Sequence, residues 1–277
     1  MKLAVLADIH ANLRAFEAVL YDIDAWQPDK VIVAGDTVNR GPLPCECWLR
    51  VQERIQSQGW HVITGNHEEY ILEWAAPNTR PTGPLADIYQ PTAWTVEQLN
   101  EHVDELRELS AEYSFIGPDG GEVRVRHGSM LGSSAGIFPK SSEDDIRRKM
   151  SPPPAVFLVA HTHRPLVKKV DDTLIVNVGA VGLPFDGDKR AGYARLTKQN
   201  GNWQPEIDRV NYNYDQAMED LRISGFNPES GPLGDLIRIE LLESRSQLFQ
   251  WGVLFEERVL AGELSVGQAV TEFISNP

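Results

Sequence analysis

Cysteine is nearly absent from this 277-residue chain, which carries only Cys45 and Cys47. One residue apart on a helical pattern, they suit neither a disulfide nor a full structural zinc site, so both read as reduced packing residues. Long apolar runs are missing as well, and nothing approaches the roughly 20 residues needed to cross a bilayer. The apolar opening at residues 1–7 is cut by Asp8 and His10 before a signal-peptide core could form. The expectation is a cytoplasmic protein that does not engage a membrane. Basic residues are outnumbered, 26 Lys and Arg against 40 Asp and Glu, giving a net charge of −14. Such a field repels polyanions and argues against long nucleic acid as a partner. A small phosphorylated substrate can still bind where cations reverse the local sign.

The composition that remains is ordinary for a folded globular protein, 42% hydrophobic and 24% charged, with room for one large α/β domain and a smaller attachment. Short β-branched runs at residues 3–7, 31–34, 62–64, 123–126, 156–160, 174–178 and 193–197 alternate with helical patterns, which predicts an α/β fold. Asn12 is placed to cap a helix carrying Leu13, Phe16, Leu20 and Ile23 on one face. A second helix is predicted over 44–58, burying Trp48, Val51 and Ile55 and stopping at Gly59. Residues 75–116 read as an insertion, Pro-rich and then helical, with Thr95 and Gln98 spaced as a capping box, Trp94 and Leu99 as its staple, and Leu99, Val103 and Leu106 sharing a face. A short helix is expected over 142–150, its charges arranged to suit the helix dipole.

Beyond residue 215 strand signals stop, and helices are predicted over 215–224, 235–261 and 265–274, the last behind a capping box of Ser265 and Gln268. The division expected is therefore a main domain over 1–210 and a helical extension over 211–277. The stripe of Val266, Ala269, Val270, Phe273 and Ile274 suits packing on the extension's own domain. Leu248, Phe249, Trp251, Leu254 and Phe255 add more apolar surface than one short helix hides, which makes these helices the candidate surface for a homo-oligomer.

The chemistry gathers where strands stop. Asp8-Ile9-His10 follows the first run, Gly35-Asp36 the second, Gly65-Asn66-His67-Glu68 the third, and His127-Gly128 and His161-Thr162-His163 the later ones. Ligands of open α/β sheets bind at the carboxyl ends of strands, and five of the seven histidines fall in these groups. Carboxylates, imidazoles and one amide without thiolates suit borderline divalent ions. Asp8 and His10, two apart, are expected to point the same way by strand alternation, and the two carboxylate oxygens of Asp36 make it the natural bridge between a pair of ions.

These five ordered groups, with Asp36-Thr37-Val38-Asn39-Arg40-Gly41-Pro42 and Ala160-His161-Thr162-His163-Arg164-Pro165 extending two of them, resemble the motifs of the calcineurin-like metallophosphoesterase superfamily. Asp8-Ile9-His10-Ala11-Asn12-Leu13 and Asn177-Val178-Gly179-Ala180-Val181-Gly182 resemble its small bacterial and archaeal phosphodiesterase-like branch, and the likeness spans residues 1–210. It implies an α/β/β/α sandwich of two mixed β-sheets flanked by helices, to which the helical C-terminal attachment is added. It also implies two divalent metal ions, manganese or iron ahead of zinc or nickel. Asp8, His10, Asp36 and His163 would surround one ion, and Asp36, Asn66, His127 and His161 the other. Asp36 and His67 are the implied catalytic residues, His67 acting on the transition state or leaving oxygen rather than as a ligand. Arg40, Arg164 and Asn66 are the candidate substrate contacts. The activity implied is hydrolysis of a phosphodiester or phosphomonoester by in-line attack of a hydroxide held between the ions. A nucleoside-polyphosphate or serine/threonine phosphoprotein hydrolase is the alternative, and a catalytically weak scaffold of the same fold the second. Three positions depart from the pattern: Asn39 stands where the protein-phosphatase branch carries Asp, Ala160 replaces a common Gly, and Phe185 replaces an Arg of many small relatives.

Overall fold

The structure is a computed structural model and describes residues 1–275. Its ten strands are β1 (Lys2–Leu6), β2 (Lys30–Val33), β3 (His61–Val62), β4 (Glu112–Ile116), β5 (Glu122–Arg126), β6 (Val156–Val159), β7 (Leu166–Val170), β8 (Thr173–Asn177), β9 (Ala191–Gln199) and β10 (Asn202–Val210). They form two five-stranded sheets, ordered β10-β9-β1-β2-β3 and β4-β5-β6-β8-β7. In the first, β1 runs parallel to β2 and antiparallel to β9. In the second, β6 lies parallel to both β5 and β8.

Strand alternation explains the layering. Leu3 and Val5 of β1 face Val123, Val125, Val156 and Leu158 of the other sheet in a core between the two. Ala4 and Leu6, one residue out of phase, face Phe16, Val19, Leu20 and Ile23 of helix α1 (Leu13–Trp26) and Trp48 and Val51 of helix α2 (Pro44–Gln58). On the far side, Phe157 and Ile175 pack beneath Ile146 of helix Glu143–Lys149 and Met150 at its C-terminal cap. Each such side chain, fully buried, contributes about 1.5–3 kcal/mol, and the three layers of contact hold the α/β/β/α sandwich together. Asn12 caps α1 by accepting from the Ala15 N–H, and Gly59 ends α2 in the left-handed region.

Three strands escape the pattern of apolar runs, all half-exposed. Residues 112–116, placed above in the helical insertion, are instead the edge strand β4, antiparallel to β5. β7 alternates between exposed and covered residues, and β10 includes Pro205, which an edge strand tolerates. Helix α3 (Asn66–Ala75) leads into the insertion, which holds α4 (Pro84–Ile88) and α5 (Gln90–Leu99). Thr95 is not a cap. The helix begins more than a turn earlier at Gln90, with Pro91 in its first turn, and the Thr95 hydroxyl lies 3.0 Å from the Pro91 carbonyl and 3.2 Å from Asn39 Oδ1. Trp94 and Leu99 therefore serve separate cores rather than a staple.

After β10 every described element is helical. The single helix expected over 235–261 is broken: Leu233–Glu243 ends at Ser244, in the left-handed region. The buried Glu240 carboxylate accepts the N–H groups of Gln247 and Leu248, capping the next helix and fixing the break. Ser265 and Gln268 do form a reciprocal capping box ahead of helix Val266–Ser275. Trp251 and Phe255 are buried beneath that helix, whereas Phe249 and Leu254 face outward, 70% and 59% exposed. The tail docks on the sandwich through an Arg14–Asp220 ion pair at 2.7 Å and through Trp94, whose indole N–H donates to Glu229. None of the described helices is long and apolar enough to cross a membrane.

Candidate metal centre

The loops that leave β1, β2 and β6 carry the donors, but not by strand alternation. Asp8, His10, Asp36, His161 and His163 all have φ between 47° and 65°, so the expected strand geometry of Asp8 and His10 is replaced by a sharp left-handed turn. Conformations of this kind cost about 1 kcal/mol or more each and persist only where surrounding bonds over-determine them. Glu68 supplies much of that determination. Fully buried in the first turn of α3, its two oxygens accept from the N–H groups of Asp36, Thr37 and Gly65 at 2.7–2.8 Å, tying the loop after β2 to the start of α3. The N–H groups of His10 and Ala11 donate to the carbonyls of Asp36 and Thr37. Asn177 braces the last loop, donating to the Ala160 carbonyl at 2.8 Å and to Thr162 at 2.9 Å. Two glycines are required by close approach: a Cβ on Gly65 would lie 2.2 Å from Asp36 Oδ1, and one on Gly182 only 1.8 Å from the Ile9 carbonyl oxygen.

The result is two overlapping donor groups that share Asp36: Asp8, His10, Asp36 and His163, and Asp36, His127 and His161. Asn66 joins the second, its Oδ1 lying 3.1 Å from His127 Nε2 and 2.8 Å from His161 Nδ1. Each of these residues was marked in the sequence at a strand end. Asp36 Oδ1 accepts from the His67 N–H at 2.9 Å, while Oδ2 is buried without a hydrogen-bond partner other than the ion-pair contact of His127.

The donor set fits cations. Nδ1 of His10, His127 and His163 each faces a backbone carbonyl, of Asn39, Ala34 and Leu183 respectively. A carbonyl only accepts, so each Nδ1 carries a proton. His127 turns its Nε2 to Asp36 Oδ2 at 3.0 Å, the distance of an ion pair. His10 and His163, which burial keeps neutral, instead turn Nε2 lone pairs inward, and these meet at 3.2 Å with no proton to share. Asp8 Oδ1, 3.4 Å from His163 Nε2, is buried without a hydrogen-bond partner. Lone pairs crowded in this way repel unless a positive charge sits among them. The electrostatics agree. Burial pushes His10 down to about 3 and His161 to about 4, and holds His163 well below its ordinary range, leaving all three neutral and ready to ligate. Burial, reinforced by Asp36, raises the Asp8 carboxyl, while burial of Asp36 is outweighed by His127, His67 and His10, which hold it well below the usual range. At His127 burial is overcome by Asp36 and Asp8, which lift the ring to about 10. A field that retains a proton so strongly would retain a metal in its place.

His67 stands beside the donors, its ring 4.9 Å from that of His10 and edge-on. Its Nδ1 meets the Asn39 side-chain amide nitrogen at 3.0 Å, which also donates to Thr92. The Asn39 amide thus orients the ring without the carboxylate of the protein-phosphatase pattern. An amide donating to Nδ1 leaves the ring proton on Nε2, and burial together with the Arg40 charge depresses the imidazolium. Phe185 lies flat against His163, centroids 4.3 Å apart. Arg40 and Arg164 both line the cleft over the donors, with Arg164 Nε held by the Phe185 carbonyl. The C-terminal tail reaches the same cleft through Ser246, Leu248, Phe249 and Glu256, residues that carry no local motif and whose approach only the tertiary fold reveals.

A two-sheet sandwich with an Asp, His and Asn cluster at its strand ends defines the metallophosphoesterase class. The sequence profile of the calcineurin-like phosphoesterase superfamily domain matches residues 1–201, and the chain belongs to that superfamily. It is 27% identical over 244 residues to the uncharacterized protein MJ0912 of Methanocaldococcus jannaschii, covering 79% of this chain and 91% of that protein. Among solved structures it is similar to a metallophosphoesterase from Sphaerobacter thermophilus, at 28% identity and a TM-score of 0.66, covering 88% of this chain and all of the other. The fold is also that of the hypothetical protein PH1004 from Pyrococcus horikoshii, with a TM-score of 0.71, 21% identity and coverage of 84% and 96%.

Proposed function

We propose that the chain hydrolyses a small phosphodiester or phosphomonoester with the help of two divalent cations, manganese or iron ahead of zinc or nickel. The observation that carries this reading is the pair of buried donor groups that overlap at Asp36, with the Nε2 lone pairs of His10 and His163 meeting with no proton between them. Asp8, His10, Asp36 and His163 would hold one cation, and Asp36, Asn66, His127 and His161 the other. Bound there, they would neutralise phosphate charge and lower the pKa of water.

The chain's own groups divide the remaining work. The guanidinium of Arg40, and that of Arg164 beside it, would hold the non-bridging phosphate oxygens. The Asn66 carboxamide oxygen points at His127 and His161, which leaves its NH₂ free to donate to a phosphate oxygen. His67, kept neutral and held by Asn39, would offer Nε2–H to the leaving oxygen as negative charge develops there. Phe185 covers one face of His163 and keeps water from that side. A scaffold that had given up catalysis would be free to lose donors, and this chain retains all seven. Turnover of phosphodiester and phosphomonoester panels by the metal-loaded protein tests the reading, which fails if manganese, iron, zinc and nickel all leave it inactive.

A further inference from the structure

Beside the donors lies a second space. A cavity of about 290 Å³ opens on the His67 side of the cleft, bounded by the insertion on one wall and by the C-terminal tail on the other. Arg40, His67, Tyr70, Leu248 and Glu256 border both spaces, so the two are continuous. Resting on the phosphoesterase reading above, we infer that this cavity receives the leaving alcohol of the substrate, and that it selects one carrying a flat aromatic ring.

Position comes first. His67 stands between the donors and the cavity, where the departing oxygen must pass if His67 stabilises it. Size comes next: pockets for drug-sized ligands run from roughly 300 to 1,000 Å³, so this one holds a single ring system rather than a peptide or a polymer. Its walls are apolar and aromatic, with Leu85 and Ile88 from α4, Tyr89, and Leu233 and Ile237 from the tail. Ring contacts run outward from the metal centre, His67 to Tyr70 at 5.3 Å and Tyr70 to Tyr89 at 5.8 Å, both close to edge-on. Such a line of rings suits a flat guest. Trp251 from the tail adds a further ring to the lining, itself only 2% exposed.

Three esters of aliphatic alcohols test this with the manganese-loaded chain: ethyl phosphate, cyclohexylmethyl phosphate and benzyl phosphate, the last two differing in the flatness of the ring. The expected order of kcat/KM is benzyl over cyclohexylmethyl over ethyl, each step about tenfold, the scale on which pockets discriminate single groups. Leu85→Trp, which fills the cavity, should collapse the benzyl-to-ethyl ratio. Tyr89→Leu, which removes a ring from the lining, should erase the benzyl-to-cyclohexylmethyl ratio. Hydrolysis of all three esters at equal efficiency, or ratios unmoved by both substitutions, overturns the pocket and leaves the phosphoesterase reading standing. Hydrolysis of none with any of the four metals overturns that reading and the pocket with it.

Discussion

The floor of the cleft and its outer wall are built on opposite principles. On the floor, left-handed turns at Asp8, His10, Asp36, His161 and His163 are held by a dense set of hydrogen bonds, with Glu68 and Asn177 buried at its centre. On the wall, Leu85, Ile88, Leu248 and Trp251 meet through apolar packing, and the main polar tie is Glu240 capping the chain at Leu248. Hydrogen bonds are directional and fix donor atoms to within tenths of an ångström, whereas packing fixes volume and shape. The floor therefore specifies chemistry, and the wall can change its guest without disturbing the donors.

Substitutions can sharpen or break that contrast. The largest effect is expected at Asp36→Asn, which removes the shared anionic oxygen and should lower kcat/KM by about a thousandfold or more while the chain stays folded by circular dichroism. Near-normal turnover would sink the assignment. Glu68→Gln places an NH₂ among backbone N–H groups. It should cost about 3 kcal/mol in urea denaturation and weaken metal binding about 10- to 100-fold, although Glu68 touches no metal. Unchanged metal affinity would remove Glu68 from the account of the floor. Gly182→Ala drives a methyl into the Ile9 carbonyl and should destabilise by about 2 kcal/mol, with loss of metal affinity following from the displaced Asp8 loop. The smallest effect belongs to the tail: Ser265→Ala removes a cap and should cost about 1 kcal/mol of stability with kcat/KM unchanged. A parallel loss of turnover there would show that the tail and the floor are not separable.

What could be read in the sequence follows the same division. Asp8, Asp36, Asn66 and the histidines at 127, 161 and 163 were visible because strand ends in α/β sheets concentrate ligand groups, and the expected sandwich agrees with the observed sheets. Edge strands β4, β7 and β10 were not visible, because half-exposed strands lack continuous apolar runs. The role of Glu68 was hidden by its dependence on two loops meeting, although an acid in the first turn of a helix is itself a signal. The break at Ser244 follows from Glu240 reaching forward to residues 247 and 248, a side-chain contact that helical periodicity does not reveal. The tail's share of the cleft left no local trace at all, since Trp251 and Leu248 look like any helix core residues until the insertion closes against them.

Metal stoichiometry tests the central claim most directly. Titration of the metal-stripped protein with manganese, followed by electron paramagnetic resonance, should reach two ions per chain with the signal of a coupled pair. In Asp36→Asn the coupling should vanish. Binding of fewer than two ions by the native chain, or of two that remain magnetically independent, would contradict a shared Asp36 and with it the account of the site.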